Sequence, residues 1–123
     1  MKIKLVSDLH LEFSDFNVIN GQACDVLILG GDILVAEYLK SPNGERCMKF
    51  MDFLKRVSFQ FPHVIYIAGN HEFYGGKWIG TLDILREVCA QFPNIYFLER
   101  DTKTIDDVTF IGCTLWTDMN KAD

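Results

Sequence analysis

Several absences narrow this sequence before any motif is considered. Its four cysteines stand at 24, 47, 89 and 113 with no Cys-x-x-Cys pair, which argues against a zinc knuckle. It has no run of lysine or arginine, and its net charge is -5. Broad, charge-driven nucleic-acid binding is therefore disfavoured. A nucleotide or nucleic-acid substrate stays open, because bound cations would change the local field. No apolar stretch reaches the length of a membrane span, and no signal-peptide core precedes the first strand. No membrane association is expected, and a cytoplasmic location with reduced core cysteines is. There is no P-loop and no Gly-x-Gly-x-x-Gly; Gly75-Gly76-Lys77 has neither the spacing nor the preceding strand. No serine sits in a nucleophile-elbow context.

The chain has 123 residues, 49% apolar and 24% charged, so one globular domain spanning 1–123 is expected. Residues 2–7, 25–29, 64–68 and 95–98 read as short apolar strands. Residues 45–61 carry a helical stripe of Cys47, Phe50, Met51, Leu54, Val57 and Phe61, closed by Pro62. Residues 78–92 carry a second stripe, Trp78, Leu82, Leu85, Cys89 and Phe92, closed by Pro93. Residues 102–105 and 108–113 read as a hairpin turning at Asp106-Asp107. Continuous apolar strands separated by helices predict an α/β layered fold with a largely parallel sheet.

Three polar clusters each follow one of these strands: Asp8-Leu9-His10, Gly30-Gly31-Asp32 and Gly69-Asn70-His71-Glu72. Singly they have ordinary readings: Asp8 and Asp32 suit turns or helix caps, His10 a solvated loop, and Asn70 a left-handed turn. His63, at the opposite end of its strand, reads as structural or solvated. Together the clusters place hard oxygen donors and imidazole at the carboxyl edge of a sheet, where open α/β sheets bind ligands. Manganese, iron and zinc all accept such donors. Asp8 and His10 are two apart, so on a strand end that still alternates they face one ion. The two oxygens of Asp32 can bridge two cations, Asn70 can offer a carbonyl oxygen to the second, and His71 suits proton transfer to a leaving alkoxide.

The ordered set Asp8-x-His10, Gly31-Asp32 and Gly69-Asn70-His71-Glu72 closely resembles the calcineurin-like metallophosphoesterases, and the segment from Gly112 through Trp116 to Asp118 is similar to one in many members. The resemblance covers residues 2 to about 118. It implies a four-layer α-β-β-α sandwich and hydrolysis of phosphomono- or phosphodiesters by a two-metal-activated hydroxide. Asp8 and His10 would bind the first metal, Asp32 would bridge, and Asn70 would bind the second. His71 would donate a proton or stabilise the transition state. Glu72 would orient its neighbours, and Trp116 and Asp118 would lie near the rim. Manganese is the expected ion of the dinuclear centre, with iron and zinc the alternatives.

Members of that family carry a further histidine and a Gly-His-x-His block in a C-terminal half, whereas this chain has three histidines in all and ends at Asp123. The expectation is therefore an N-terminal portion of the domain, with its second metal weakly held and an apolar sheet face left exposed, through which it could self-associate. The competing expectation is a non-catalytic half-domain serving metal binding or protein interaction.

Overall fold

The structure is a computed structural model describing residues 1–115. Trp116 and Asp118 lie outside the described residues. Four strands form one parallel sheet in the order β1 (Ile3–Val6), β2 (Val26–Leu29), β3 (His63–Tyr66) and β4 (Ile95–Phe97). Ile3 pairs with Val26, Val26 with His63, and Val64 with Ile95. All strands therefore end on the same side, and the three polar clusters share one edge. Helices α1 (Glu45–Gln60) and α2 (Trp78–Cys89) precede β3 and β4, and short 3₁₀ turns span Ala36–Lys40 and His71–Phe73. A hairpin, β5 (Asp101–Ile105) and β6 (Val108–Gly112), follows as a separate two-stranded sheet. The expected α/β architecture is present.

Alternate strand residues divide the core. Leu27, Leu29, Val64, Tyr66 and Ile95 face the helices and pack with Phe50, Phe53, Leu54 and Val57 of α1 and with Leu85, Val88 and Cys89 of α2. Each such side chain, fully removed from water, contributes about 1.5–3 kcal/mol. Phe53 belongs to this core, whereas Met51 of the expected stripe is only half-buried. On the other face, Val26, Ile65, Leu98 and Ile105 form a smaller cluster under the hairpin, joined by Ile28, Ile67, Tyr96 and Phe110. The hairpin does not reach β1. Leu5, in register with Ile28 on that face, is 67% exposed, and Ile111 is 82% exposed.

Element ends differ from the expectation where local bonding changes. Helix α2 stops at Cys89 rather than at 92, because the Gln91 and Phe92 amides turn to the carbonyls of Val88 and Cys89, a tightened final turn before Pro93. Trp78 is half exposed at the head of α2 and stacks on Phe73, ring centroids 4.5 Å apart, instead of joining the core stripe. No helix covers the β1–β2 crossover; Leu11 and Val18 of that long loop supply the missing apolar contacts. His63 begins β3 and stacks on Tyr96, a structural role as expected. Cys24, Cys47 and Cys89 are buried and free, but Cys113 is exposed, so it does not belong to the core. Among the described residues no helix is long and apolar enough to cross a membrane.

Candidate metal centre

Beyond β1 and β2 the backbones continue to pair. The Gly30 amide donates to Val6 O at 2.7 Å, Asp8 to Gly31 O at 2.9 Å, His10 to Asp32 O at 3.0 Å, and Leu11 to Ile33 O at 2.8 Å. This pairing threads through left-handed backbone: φ is 58° at Asp8, 48° at His10, 55° at Asp32 and 92° at Gly31. Asp and His tolerate this region better than most residues, yet three such non-glycine residues in one site mark a conformation imposed by the surroundings. The convergence of Asp8 and His10 thus has a different origin from the strand alternation expected of it. Both lie past the end of β1, in left-handed turns whose amides are pinned to the β2 loop.

The second contact is between the β2 and β3 loops. A Cβ on Gly31 would lie 2.8 Å from the Gly69 nitrogen, and one on Gly69 would lie 2.7 Å from the Asp32 nitrogen and strike its carboxylate. Only glycine at both positions lets the two backbones touch. The His71 amide donates to Asp32 Oδ1 at 2.9 Å, which fixes one carboxylate oxygen.

Glu72 ties these loops together. It is fully buried. Its Oε1 accepts from the amides of Asp32 (2.9 Å) and Gly69 (2.7 Å), and its Oε2 from the amides of Ile33 (2.8 Å) and Leu34 (3.3 Å) and from the Tyr66 hydroxyl (2.7 Å). Burial raises the Glu72 carboxyl above its ordinary value, against the opposing pull of these donors; burial, then the Glu72 carboxylate, pushes the Tyr66 phenol well above its own. Glu72 thus accepts from amides of both the β2 and β3 loops. Tyr66 falls within the apolar strand expected at 64–68, and a tyrosine in a buried strand requires a partner for its hydroxyl.

Ligand atoms of Asp8, His10 and Asp32 all lie within 4.8 Å of one another, and His10 Nε2 is 3.8 Å from Asp8 Oδ1. One terminal atom of the Asn70 amide sits 3.1 Å from both Asp32 oxygens. With nitrogen inward, Asn70 donates to both. With oxygen inward, three oxygens meet with no proton among them, the arrangement a cation requires. Asp8, His10 and Asp32 offer two carboxylates and one imidazole, a donor set that fits a hard or borderline divalent cation, with the Asn70 amide beside it. Asp8, Asp32 and Asn70 border a cleft of about 340 Å³, rimmed by Cys113 and Leu115.

His71 lies beside this group. Its Nδ1 is 3.1 Å from His10 Nδ1 and 2.9 Å from Glu12 Oε2. Ligand atoms of His10, Glu12 and His71 also fall within 4.8 Å of one another. Glu12 is absent from the set drawn from sequence. The available signal was its place two residues after His10, a third spaced polar residue in an Asp-x-His-x-Glu run.

A sequence model of the calcineurin-like phosphoesterases matches residues 1–116. The chain is also similar to Uncharacterized protein L509 of Acanthamoeba polyphaga mimivirus, 29% identical over 130 residues, covering 98% of this chain and 46% of the relative. It thus spans about half the length of that relative.

Proposed function

This chain belongs to the calcineurin-like phosphoesterase family, and from that premise we propose that residues 1–123, as one domain, supply a dinuclear centre for hydrolysis of phosphomono- or phosphodiesters. The observation that carries this reading is the convergence of Asp8, His10 and Asp32 within 4.8 Å at one sheet edge. Asp8 and His10 would hold one cation, Asp32 would bridge, and Asn70 would hold the second, with manganese the preferred ion over iron or zinc. The cations would supply Lewis acidity toward a phosphoryl oxygen and lower the pKa of water. Among the described residues Asp32 and Asn70 would serve the second cation and Asp8, His10 and Asp32 the first, so these residues by themselves would hold the second more weakly.

The chain's own residues then divide the work. Glu72 holds the backbone that aims Asp32, and the His71 amide fixes one Asp32 oxygen. Glu12 faces His71 Nδ1. A doubly protonated ring would keep one proton against Glu12 and direct the other, on Nε2, to the departing oxygen. Within the family fold, nucleotides and nucleic acids remain among the eligible substrates.

The test is hydrolysis of bis-p-nitrophenyl phosphate by the full chain with added Mn²⁺, beside an Asp32→Ala variant of unchanged circular dichroism. Manganese-dependent turnover lost in Asp32→Ala supports the assignment. Turnover that persists in Asp32→Ala and in His71→Ala overturns it, as does the failure of the wild-type chain to bind Mn²⁺ by calorimetry.

A further inference from the structure

A second cavity, of about 310 Å³, is lined in part by residues that surround His71. Three residues of its lining contact His71: Glu12 through the 2.9 Å approach to Nδ1, Tyr74 with ring centroids 4.3 Å apart, and Phe13 edge-on at 6.4 Å. A departing oxygen protonated by His71 would thus have its remaining substituent beside this cavity.

The lining has a specific chemistry. Phe13, Tyr38 and Tyr74 are 76%, 40% and 48% exposed. One exposed aromatic is unremarkable, but three around a single cavity form an apolar, flat-walled site. The Arg46 guanidinium lies 4.7 Å over the Tyr38 ring, so the cavity wall carries a cation beside its aromatic rings. The Glu12 side chain is only 6% exposed, and its Oε1 is buried without a hydrogen-bond partner among the described residues. A buried acceptor left unsatisfied is costly, and a ligand N–H or O–H would relieve it.

We propose that this cavity is the leaving-group subsite of the phosphoesterase and takes a planar ring bearing a hydrogen-bond donor, stacked among Phe13, Tyr38 and Tyr74. The proposal rests on the phosphoesterase reading above for its place in the reaction. Hydrolysis of R–O–phosphate by water breaks the P–O bond to R and yields R–OH and phosphate, and the ring belongs to R. Nucleosides and simple phenols share this chemistry.

The experiment titrates the full chain, without added metal, with adenosine, phenol and glycerol, following the tyrosine ring resonances by NMR. Adenosine and phenol are expected to bind and glycerol not. Binding should weaken at least fivefold in Tyr74→Ala and in Arg46→Ala. The same loss is expected in Phe13→Ser, whose exposed position spares the fold. Adenosine binding tenfold or more tighter than phenol identifies a nucleoside as the source; equal binding identifies a simple aryl group. With Mn²⁺, Tyr74→Ala should raise KM for phenyl phosphate at least fivefold more than it raises KM for glycerol phosphate. The subsite is overturned if neither ring binds, if glycerol binds equally, or if all three variants bind like wild type. The metal-free isotherms use no metal ligand and should stay near wild type in Asp32→Ala, so failure of the subsite and failure of the hydrolase assignment are read separately.

Discussion

Glu12 Oε2 stands 2.9 Å from His71 Nδ1, an acid–imidazole contact joining residues 59 apart in sequence. Such partners fix the tautomer and orientation of a functional histidine, and their loss typically costs about 10–100-fold in activity. Glu12→Gln should therefore lower kcat for an aryl phosphodiester about tenfold or more, with urea stability close to wild type. Steady-state kinetics beside an unfolding curve checks this, and an unchanged kcat would show that Glu12 does not orient the ring.

Gly69 packs its backbone against Asp32 with no room for a methyl group. Gly69→Ala should displace the Asp32 carboxylate and destabilise the fold by about 1–3 kcal/mol, the usual cost of overpacking. Calorimetry should show weakened Mn²⁺ binding even at temperatures where the variant is fully folded. Wild-type affinity in the folded variant would place the critical backbone approach elsewhere.

Asn70 and Asp32 should separate the two cations. Asn70→Ala is expected to remove the weaker of two Mn²⁺ binding steps and leave the tighter one within about threefold. Asp32→Ala should abolish both. A single step lost equally in both variants would mean that the chain forms a mononuclear site.

The thiols report burial through pH. Burial pushes Cys89 from 9.0 up to about 12, so it stays protonated at pH 8–10, where exposed thiols ionise. Ellman's reagent at pH 8.5 should label Cys113 rapidly and Cys89 only after unfolding. Because the folded pKa is raised, this thiol's contribution to stability is complete below about pH 9 and is lost as pH climbs towards 12. Cys89→Ala should flatten the alkaline decline in urea midpoint over that window.

The strands were legible because Val26–Leu29 and Val64–Tyr66 are apolar runs ended abruptly by polar residues. Their parallel pairing then places Asp8, Asp32 and Asn70 at one edge without any long-range information. The left-handed backbone at Asp8, His10 and Asp32 was not legible, since it arises from pairing between loops rather than from local preference. Glu12 and Tyr66 were missed for a related reason: each acts through a tertiary contact, one to His71 and one to Glu72. The exposure of Leu5 was foreseeable, because a two-stranded hairpin is too narrow to cover four strands.

Glu72 accepts from the amides of Asp32, Ile33, Leu34 and Gly69 at once, so those four amides are protected by one side chain rather than by a ladder. Releasing that carboxylate exposes all of them together. In native-state hydrogen exchange they should therefore form one opening unit, with a common free energy and a common rate. The ligand-bearing loops would order and disorder as a single cooperative switch, and a bound cation would slow the exchange of every member of the unit to the same degree.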